Sequence, residues 1–347
     1  MYIYNHLSIT YYFTISSFTF VVNYKNMKKK TLPKLPGFGI NVEVTAQNIH
    51  LIATYIETLQ ILRVSWVRLV INFYEPPPLP LLLIFVKNCK INNINILGAL
   101  KNLVPGTVLR SFFPHAFYTP VTRQKEKFSQ FVRTYVSVLS HEITHWEILN
   151  EMDSKRFAVT APDPSSYIQI LSNAKNIITS IDKNAQILFA GMVGDGSKKL
   201  LPGHDHTFFQ KALDAGARKH FDIASVHLYT LHNYFSLQGK HAFEAQFTQS
   251  ITNLKKLQKR IAKPIWITEY GISPRWVRID PATIASLYID VYRVAQKAGM
   301  PFFLWHLADT RTHIYEPGNP EKHFGLLTEN LTPKPLFLAL REKLSKI

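Results

Sequence analysis

From residue 31 onward the apolar positions of this chain switch regularly between two spacings. Short, nearly continuous apolar runs predict buried β-strands, and apolar residues recurring every three to four positions predict helices. Gly37–Val42 reads as a first strand. Residues 46–62 follow as a helix on Ile49, Ile52, Ile56 and Leu59. Ser65–Ile71 is a second strand, Pro76-Pro77-Pro78 forces a loop, and 80–90 reads as a helix. Ile94–Ala99 is the third strand, and Phe128 to Leu139 carries a helical stripe of Phe131, Val132, Tyr135 and Val136. His145–Glu151 is the fourth strand, and residues 164–181 place Tyr167, Leu171, Ala174 and Ile178 on one helical face.

The rhythm continues to the end. Strands are predicted at Gln186–Gly191, Phe221–His227, Pro264–Gly271 and Pro301–Trp305. Helices are predicted at Phe208–Ala215, 243–261, 281–298 and 334–345. Eight strand–helix units in succession predict an α/β fold, a single (β/α)₈ TIM barrel over residues 31–347. A doubly wound open sheet would usually carry a Gly-rich phosphate turn after its first strand, and the sequence has none there.

Residues 1–30 fall outside that pattern. They are aromatic, apolar and hydroxyl-rich, with no Lys or Arg before Lys25. A secretory signal carries its positive charge ahead of the apolar stretch; here Lys28-Lys29-Lys30 comes after it. The run from Ile9 to Val22 is short for a membrane span. Three readings stand: an atypical export or anchor segment, a start codon placed too early, or a disordered extension. Residues 1–26 as an export segment imply membrane association or secretion, whereas translation from Met27 implies a cytoplasmic protein.

Charge and cysteine change this picture little. The formal net charge is +17, which would attract polyanions. The basic residues are scattered over predicted helix faces, such as Lys255, Lys256, Lys259 and Arg260, and no RNA-binding signature or Cys/His finger spacing accompanies them. No nucleic-acid partner is therefore expected. Cys89 is the single cysteine, so no internal disulfide forms, and its apolar helical setting makes it a core residue.

The candidate chemistry lies at strand ends. Glu151 closes the fourth strand and Glu269 the seventh. A carboxylate at such a position is costly to bury unpaired. Two of them from distant strands predict a shared site at the C-terminal rim of the barrel, where active sites of this architecture gather. Asn150, His227, Tyr229, Trp305 and His306 fall at the same rim, and Arg68 lies within the second strand. Alternation places Glu147, Leu149 and Glu151 on one face. Glu147 would then point into the barrel and need a partner, with Arg68 the candidate for a buried ion pair.

This constellation resembles the clan A retaining glycoside hydrolases, of family 39-like or family 5-like type. Trp146-Glu147-Ile148-Leu149-Asn150-Glu151 is similar to that clan's strand-four motif, and Ile265-Trp266-Ile267-Thr268-Glu269-Tyr270-Gly271 to its strand-seven motif. The resemblance implies cleavage of a β-linked glycan or glycoside by double displacement, without a metal or other cofactor. It makes Glu151 the general acid/base and Glu269 the nucleophile, with Asn150 on the sugar 2-hydroxyl. It also implies that Arg68 and Tyr229 support Glu269, while His227 and Trp305 line the sugar subsite. The expected partner is a carbohydrate, bound by a monomer. The chain departs from the clan pattern in two places. Strand three ends in Gly98-Ala99-Leu100, where many clan members carry a polar sugar-binding residue, and Met152-Asp153 follows Glu151 in place of the common Pro.

Competing readings remain at this level. A transglycosylase would differ only in its acceptor, and a non-catalytic carbohydrate-binding barrel would be expected to have lost one carboxylate. His141-Glu142-Ile143-Thr144-His145 matches the His-Glu-x-x-His zinc-peptidase pattern, but that pattern needs a helix and here spans a helix end and a strand. His204-Asp205-His206 could bind a metal or a sugar hydroxyl but reads better as a solvated loop. His313 and His323 are candidate pocket residues, and Trp276, Tyr234, Phe235 and Tyr118 are candidate sugar platforms.

Overall fold

Alternating apolar strands and amphipathic helices wind into a parallel barrel in the computed structural model of the protein. The structure describes residues 10–15, 18–23, 33–44, 51–103, 119–194, 204–229, 239–273, 279–309 and 320–347. Two compact units are present, 1–33 and 34–347. In the first, Thr10–Ile15 pairs antiparallel with Phe18–Asn23, with Ile15 opposite Phe18. Everything below concerns the second unit.

Its strands are β1 (Leu35–Glu43), β2 (Val64–Asn72), β3 (Asn95–Lys101), β4 (His145–Ile148), β5 (in two pieces, Gln186–Leu188 and Met192–Val193), β6 (Ala224–His227), β7 (Ile265–Tyr270) and β8 (Phe302–Leu304). The ladder runs from Gln186–Leu188 through β4, β3, β2, β1, β8, β7 and β6 to Met192–Val193. Both ends of the sheet are thus pieces of β5, so the sheet returns on itself. Single bridges, Leu188 to Ile223 and Asn150 to Gly191, hold the break in β5 to its neighbours. This is the TIM-barrel-like α/β architecture read from the sequence.

The helices are α1 (Ile52–Ile61), α2 (Leu79–Ile91), α3 (Lys125–Leu139), α4 (Pro164–Ile181), α5 (Phe208–Asp214), α6 (Gly239–Ile261), α7 (Pro281–Lys297) and α8 (Pro335–Leu344). Sequence chemistry sets several of their starts. Asp163 accepts from the backbone N–H groups of Ser165 and Ser166 and precedes Pro164; Asp280 caps Thr283 N ahead of Pro281. An acceptor at the cap and a proline in the first turn both suit a helix N-terminus. Cys89 is fully buried on α2, as its setting predicts. Among the described residues no helix is long and apolar enough to cross a membrane.

One large apolar cluster fills the space between sheet and helices. A second, smaller cluster of Leu97, Leu188, Ile223, Trp266 and Phe303, with Trp66 against it, plugs the barrel interior. Trp66 and Trp266 meet edge-on at 5.0 Å between centroids, and His145 stacks on Trp266 at 5.1 Å. This aromatic floor closes the lower barrel and leaves the polar residues to gather above it.

Candidate active site

Each polar side chain of the site lies one or more alternation steps above that floor. Arg68 follows Trp66 on the inward face of β2, and Glu147 follows His145 on β4. Both are fully buried. Arg68 Nε donates to Glu147 Oε2 at 2.6 Å, the ion pair the sequence predicts. Glu147 Oε1 accepts from Gly191 N at 3.0 Å and Ser225 Oγ at 3.1 Å, so both carboxylate oxygens are occupied. Arg68 Nη1 donates to Asn41 Oδ1 at 2.7 Å and to Glu269 Oε1 at 2.5 Å, and Nη2 to Asn150 Oδ1 at 3.2 Å. The guanidinium therefore ties β1, β2, β4 and β7 together. Burial disfavours its charge, but Glu147 and Glu269 outweigh this and raise its pKa above the ordinary value.

Glu269 reaches the interior through an irregularity. Trp266 faces the floor, so strict alternation would turn Glu269 outward. The pairing of β7 with β6 shifts between Ile267 and Glu269, and its pairing with β8 between Ile267 and Tyr270. Such a shift re-aims a side chain. The re-aimed carboxylate is held on both oxygens. Oε1 also accepts from Lys101 Nζ at 2.7 Å, and Oε2 accepts from the Tyr229 hydroxyl at 3.0 Å. Burial alone would raise the pKa of Glu269; His227, Lys101 and Arg68 reverse this and hold it well below the usual carboxylate range. The group stays ionised at neutral pH.

Glu151 arrives by a turn rather than by a strand. β4 ends at Ile148, and Leu149 and Glu151 take left-handed backbone angles, with φ of 65° and 45°. Leu149 consequently packs in the outer cluster instead of sharing a face with Glu147, which corrects the alternation read from the sequence. Glu151 N donates to Gly191 O at 2.9 Å, and Asn150 N to Asn102 Oδ1 at 2.7 Å, which fix the turn. Glu151 Oε1 lies 2.6 Å from His227 Nδ1, and the same nitrogen is 3.5 Å from Glu269 Oε2. One ligand atom from each of Glu151, His227 and Glu269 lies within 4.8 Å of the others. A divalent cation fits poorly between them, because Arg68 and Lys101 already neutralise Glu269 at contact distance.

Trp305 sits half-buried at the end of β8. The Lys101 ammonium lies 4.3 Å from the centroid of its ring, and the His306 ring stacks on it at 4.7 Å. His306 is buried, and its pKa drops to about 3, chiefly through burial and secondarily through Lys334.

Sequence reasoning missed Lys101, Asn102 and Asn41. β3 does not stop at Gly98-Ala99-Leu100 but continues to Lys101, so this strand does end in a polar residue. The signal was the alternation itself: Leu97, Ala99 and Lys101 share the inward face. Asn41 Nδ2 donates to the carbonyls of Thr268 and Leu304, at 3.0 Å and 3.1 Å.

The other candidates disperse. His141 lies exposed in the turn after α3, while His145 starts β4 between Trp66 and Trp266. The His-Glu-x-x-His pair therefore shares no helix face, which removes the zinc-peptidase geometry. His204 Nδ1 lies 3.2 Å from Asp153 Oδ2, Asp205 accepts from Thr207 N ahead of α5, and His206 is exposed. His323 is half-buried, and its carbonyl accepts from Lys334 Nζ at 3.2 Å. Tyr118, Tyr234, Phe235, Trp276 and His313 lie outside the described residues.

Comparison with known proteins agrees with the fold. A family 39 glycoside hydrolase from Bacteroides cellulosilyticus WH2 superposes with a TM-score of 0.64 at 18% identity, over 98% of this chain and 70% of that one. GH5_18 from Streptomyces cattleya, solved with GlcNAc, gives 0.64 at 15% identity, over 91% and 81%. An endo-1,4-β-D-mannanase from Thermotoga petrophila RKU-1 gives 0.59 at 15% identity, over 89% and 99%. At these identities the likeness is one of fold. No curated protein matches the chain by sequence. Residues 114–292 match the family described as the glycosyl hydrolase catalytic core, a span that holds Glu147, Asn150, Glu151, His227, Tyr229 and Glu269. With that match over half its length, the chain belongs to the glycosyl hydrolase catalytic core family and is a glycoside hydrolase acting on carbohydrate.

Proposed function

We infer that the protein is a retaining glycoside hydrolase that cleaves a β-linked glycan or glycoside by double displacement. The observation that carries the reading is that one carboxyl oxygen of Glu151 and one of Glu269 lie within 4.8 Å of each other. Retaining enzymes keep the two carboxyl groups about 5–5.5 Å apart, whereas inverting enzymes need roughly 6.5–9.5 Å to admit a water.

Glu269 is the nucleophile. Its ionisation, held by Arg68 and Lys101, suits attack on the anomeric carbon. Glu151 is the acid/base: it protonates the leaving oxygen in the first step and takes a proton from water in the second. His227 bridges the two carboxyl groups and orients Glu151. Tyr229 orients Glu269, and Asn150, itself fixed by Arg68 and Asn102, binds the sugar hydroxyl next to the reacting carbon. Trp305 lines the rim of the same subsite. The β-linkage is supported by the neighbours: a β-xylosidase from Caulobacter crescentus CB15 and the Thermotoga mannanase are among them.

A panel of aryl β-glycosides assayed with wild type, Glu151→Ala and Glu269→Ala tests this. Both variants should lose activity, and azide should rescue Glu269→Ala with a product of inverted configuration. Unchanged hydrolysis in both variants would overturn the assignment.

A further inference from the structure

The first observation is an imbalance between the two oxygens of Glu269. Oε1 is in contact with two cations, Arg68 Nη1 at 2.5 Å and Lys101 Nζ at 2.7 Å. Oε2 accepts one neutral hydrogen bond, from Tyr229 at 3.0 Å, with His227 Nδ1 at 3.5 Å. A carboxylate oxygen offers two lone pairs. On Oε1 both are engaged; on Oε2, among the described residues, one is left to attack.

The second observation concerns how Lys101 is held. Its side chain is 4% exposed, its carbon chain rises from the inward face of β3, and its ammonium rests over the Trp305 ring. The carboxylate and the indole face together fix the ammonium between β7 and β8. Arg68 already pairs with Glu147, so Lys101 is the cation that balances Glu269: the groups joined through Arg68 and Lys101 are two positive and two negative.

We propose that Lys101 is a positioning residue that reserves Oε1 of Glu269 as the non-attacking oxygen and stabilises the carboxylate as it departs in the second chemical step. The inference rests on the assignment of Glu269 as nucleophile. In the first step a bond forms between Oε2 and the anomeric carbon, the bond from that carbon to the leaving oxygen breaks, and the Glu151 proton moves to the leaving oxygen. Oε1 becomes the ester carbonyl and keeps its two donors. In the second step water attacks the anomeric carbon and gives its proton to Glu151. The electron pair of the breaking bond to Oε2 returns to a carboxylate whose developing charge Lys101 and Arg68 already face. A charged donor is a stronger partner than a neutral one, and donors preset for a developing charge act without reorganisation. Lys101 therefore accelerates release from the enzyme more than it accelerates attachment.

The test compares wild type, Lys101→Met and Lys101→Arg with 2,4-dinitrophenyl β-glycosides of glucose, xylose and mannose and their 2-deoxy-2-fluoro analogues. Lys101→Met should lengthen the lifetime of the fluoroglycosyl-enzyme about tenfold and show a larger dinitrophenol burst, while Lys101→Arg keeps a lifetime close to wild type. The acidic limb of kcat/KM should move to higher pH in Lys101→Met, since Glu269 loses one cation. Among the described residues, the charged and titratable groups left facing it are Arg68, Glu151, His227, Tyr229 and His306. Wild type alone supplies a further readout: esterification removes the carboxylate charge, so the ¹⁵Nζ resonance of Lys101 should shift on trapping. An unaltered lifetime and acidic limb in a folded Lys101→Met, or an unmoved Lys101 resonance, would overturn the proposal. If azide still rescues Glu269→Ala while Lys101→Met behaves as wild type, only the role of Lys101 falls; if azide fails, the nucleophile assignment falls.

Discussion

Replacing Glu147 with Gln changes one atom and removes one charge from the barrel interior. Around Arg68 the charges balance, with Arg68 and Lys101 against Glu147 and Glu269. Glu147→Gln leaves two cations against one anion, with no solvent at Arg68. Hydrogen bonding fails as well. The two N–H groups that face this carboxylate can only donate, Arg68 Nε to Oε2 and Gly191 N to Oε1, while the Ser225 hydroxyl also donates to the Phe189 carbonyl. A glutamine has one acceptor oxygen, so its NH₂ must point at a donor in either amide orientation. Removing one member of a buried pair costs about 3–5 kcal/mol. We expect a loss of that size in guanidinium unfolding followed by far-ultraviolet circular dichroism, at unchanged m-value. The exposed Lys346–Glu342 pair is the control, and Glu342→Gln should leave the midpoint where it is. Activity should fall too, because the freed guanidinium also holds Glu269 and Asn150. A Glu147→Gln protein within about 1 kcal/mol of wild type would refute the reasoning, since the ion pair would then contribute no more than a surface pair does.

Two further outcomes follow from packing and from titration. A Cβ at Gly191 would sit 2.0 Å from His227 Nε2, so Gly191→Ala must push the imidazole off Glu151; kcat/KM should drop about tenfold or more, with the far-ultraviolet spectrum retained. His145, half-buried between Trp66 and Trp266, has its pKa lowered by partial burial to about 4, from 6.5. A depressed histidine leaves the native state proton-poor, so its share of stability is intact above pH 6.5 and shrinks as pH falls toward 4. From pH 7 to pH 5 that share amounts to roughly 2 kcal/mol. His145→Phe keeps the ring contact and should flatten this part of the unfolding profile; an unchanged pH dependence would contradict the assignment.

The fold was legible because barrel strands covered on both faces are apolar throughout, and their helices are not. The predicted helix 164–181 coincides with α4, where Asp163 and Pro164 mark the start. The Arg68–Glu147 pair was legible from alternation, since a buried charge requires a partner within reach. The same rule failed where the backbone leaves the ladder. It gave Leu149 to the wrong face, because a left-handed residue resets the alternation. It would also have turned Glu269 outward, because a register shift is set by neighbouring strands and leaves no local mark. Lys101 was passed over because a lysine after an apolar run normally marks the exit into solvent; only counting inward positions from Leu97 would have placed it beside Glu269. Asn41 was hidden inside the run Phe38–Val42, where a lone amide satisfied by three strands looks like any other strand residue.

The central claim is that Glu269 carries the sugar during turnover. Trapping the protein with a 2-deoxy-2-fluoro β-glycoside, digesting it and sequencing the labelled peptide by mass spectrometry tests this most directly. The account predicts one fluorosugar per chain, attached to Glu269 in the peptide containing Ile265–Tyr270. A label on another residue, or turnover to an inverted product with no covalent adduct, would contradict it.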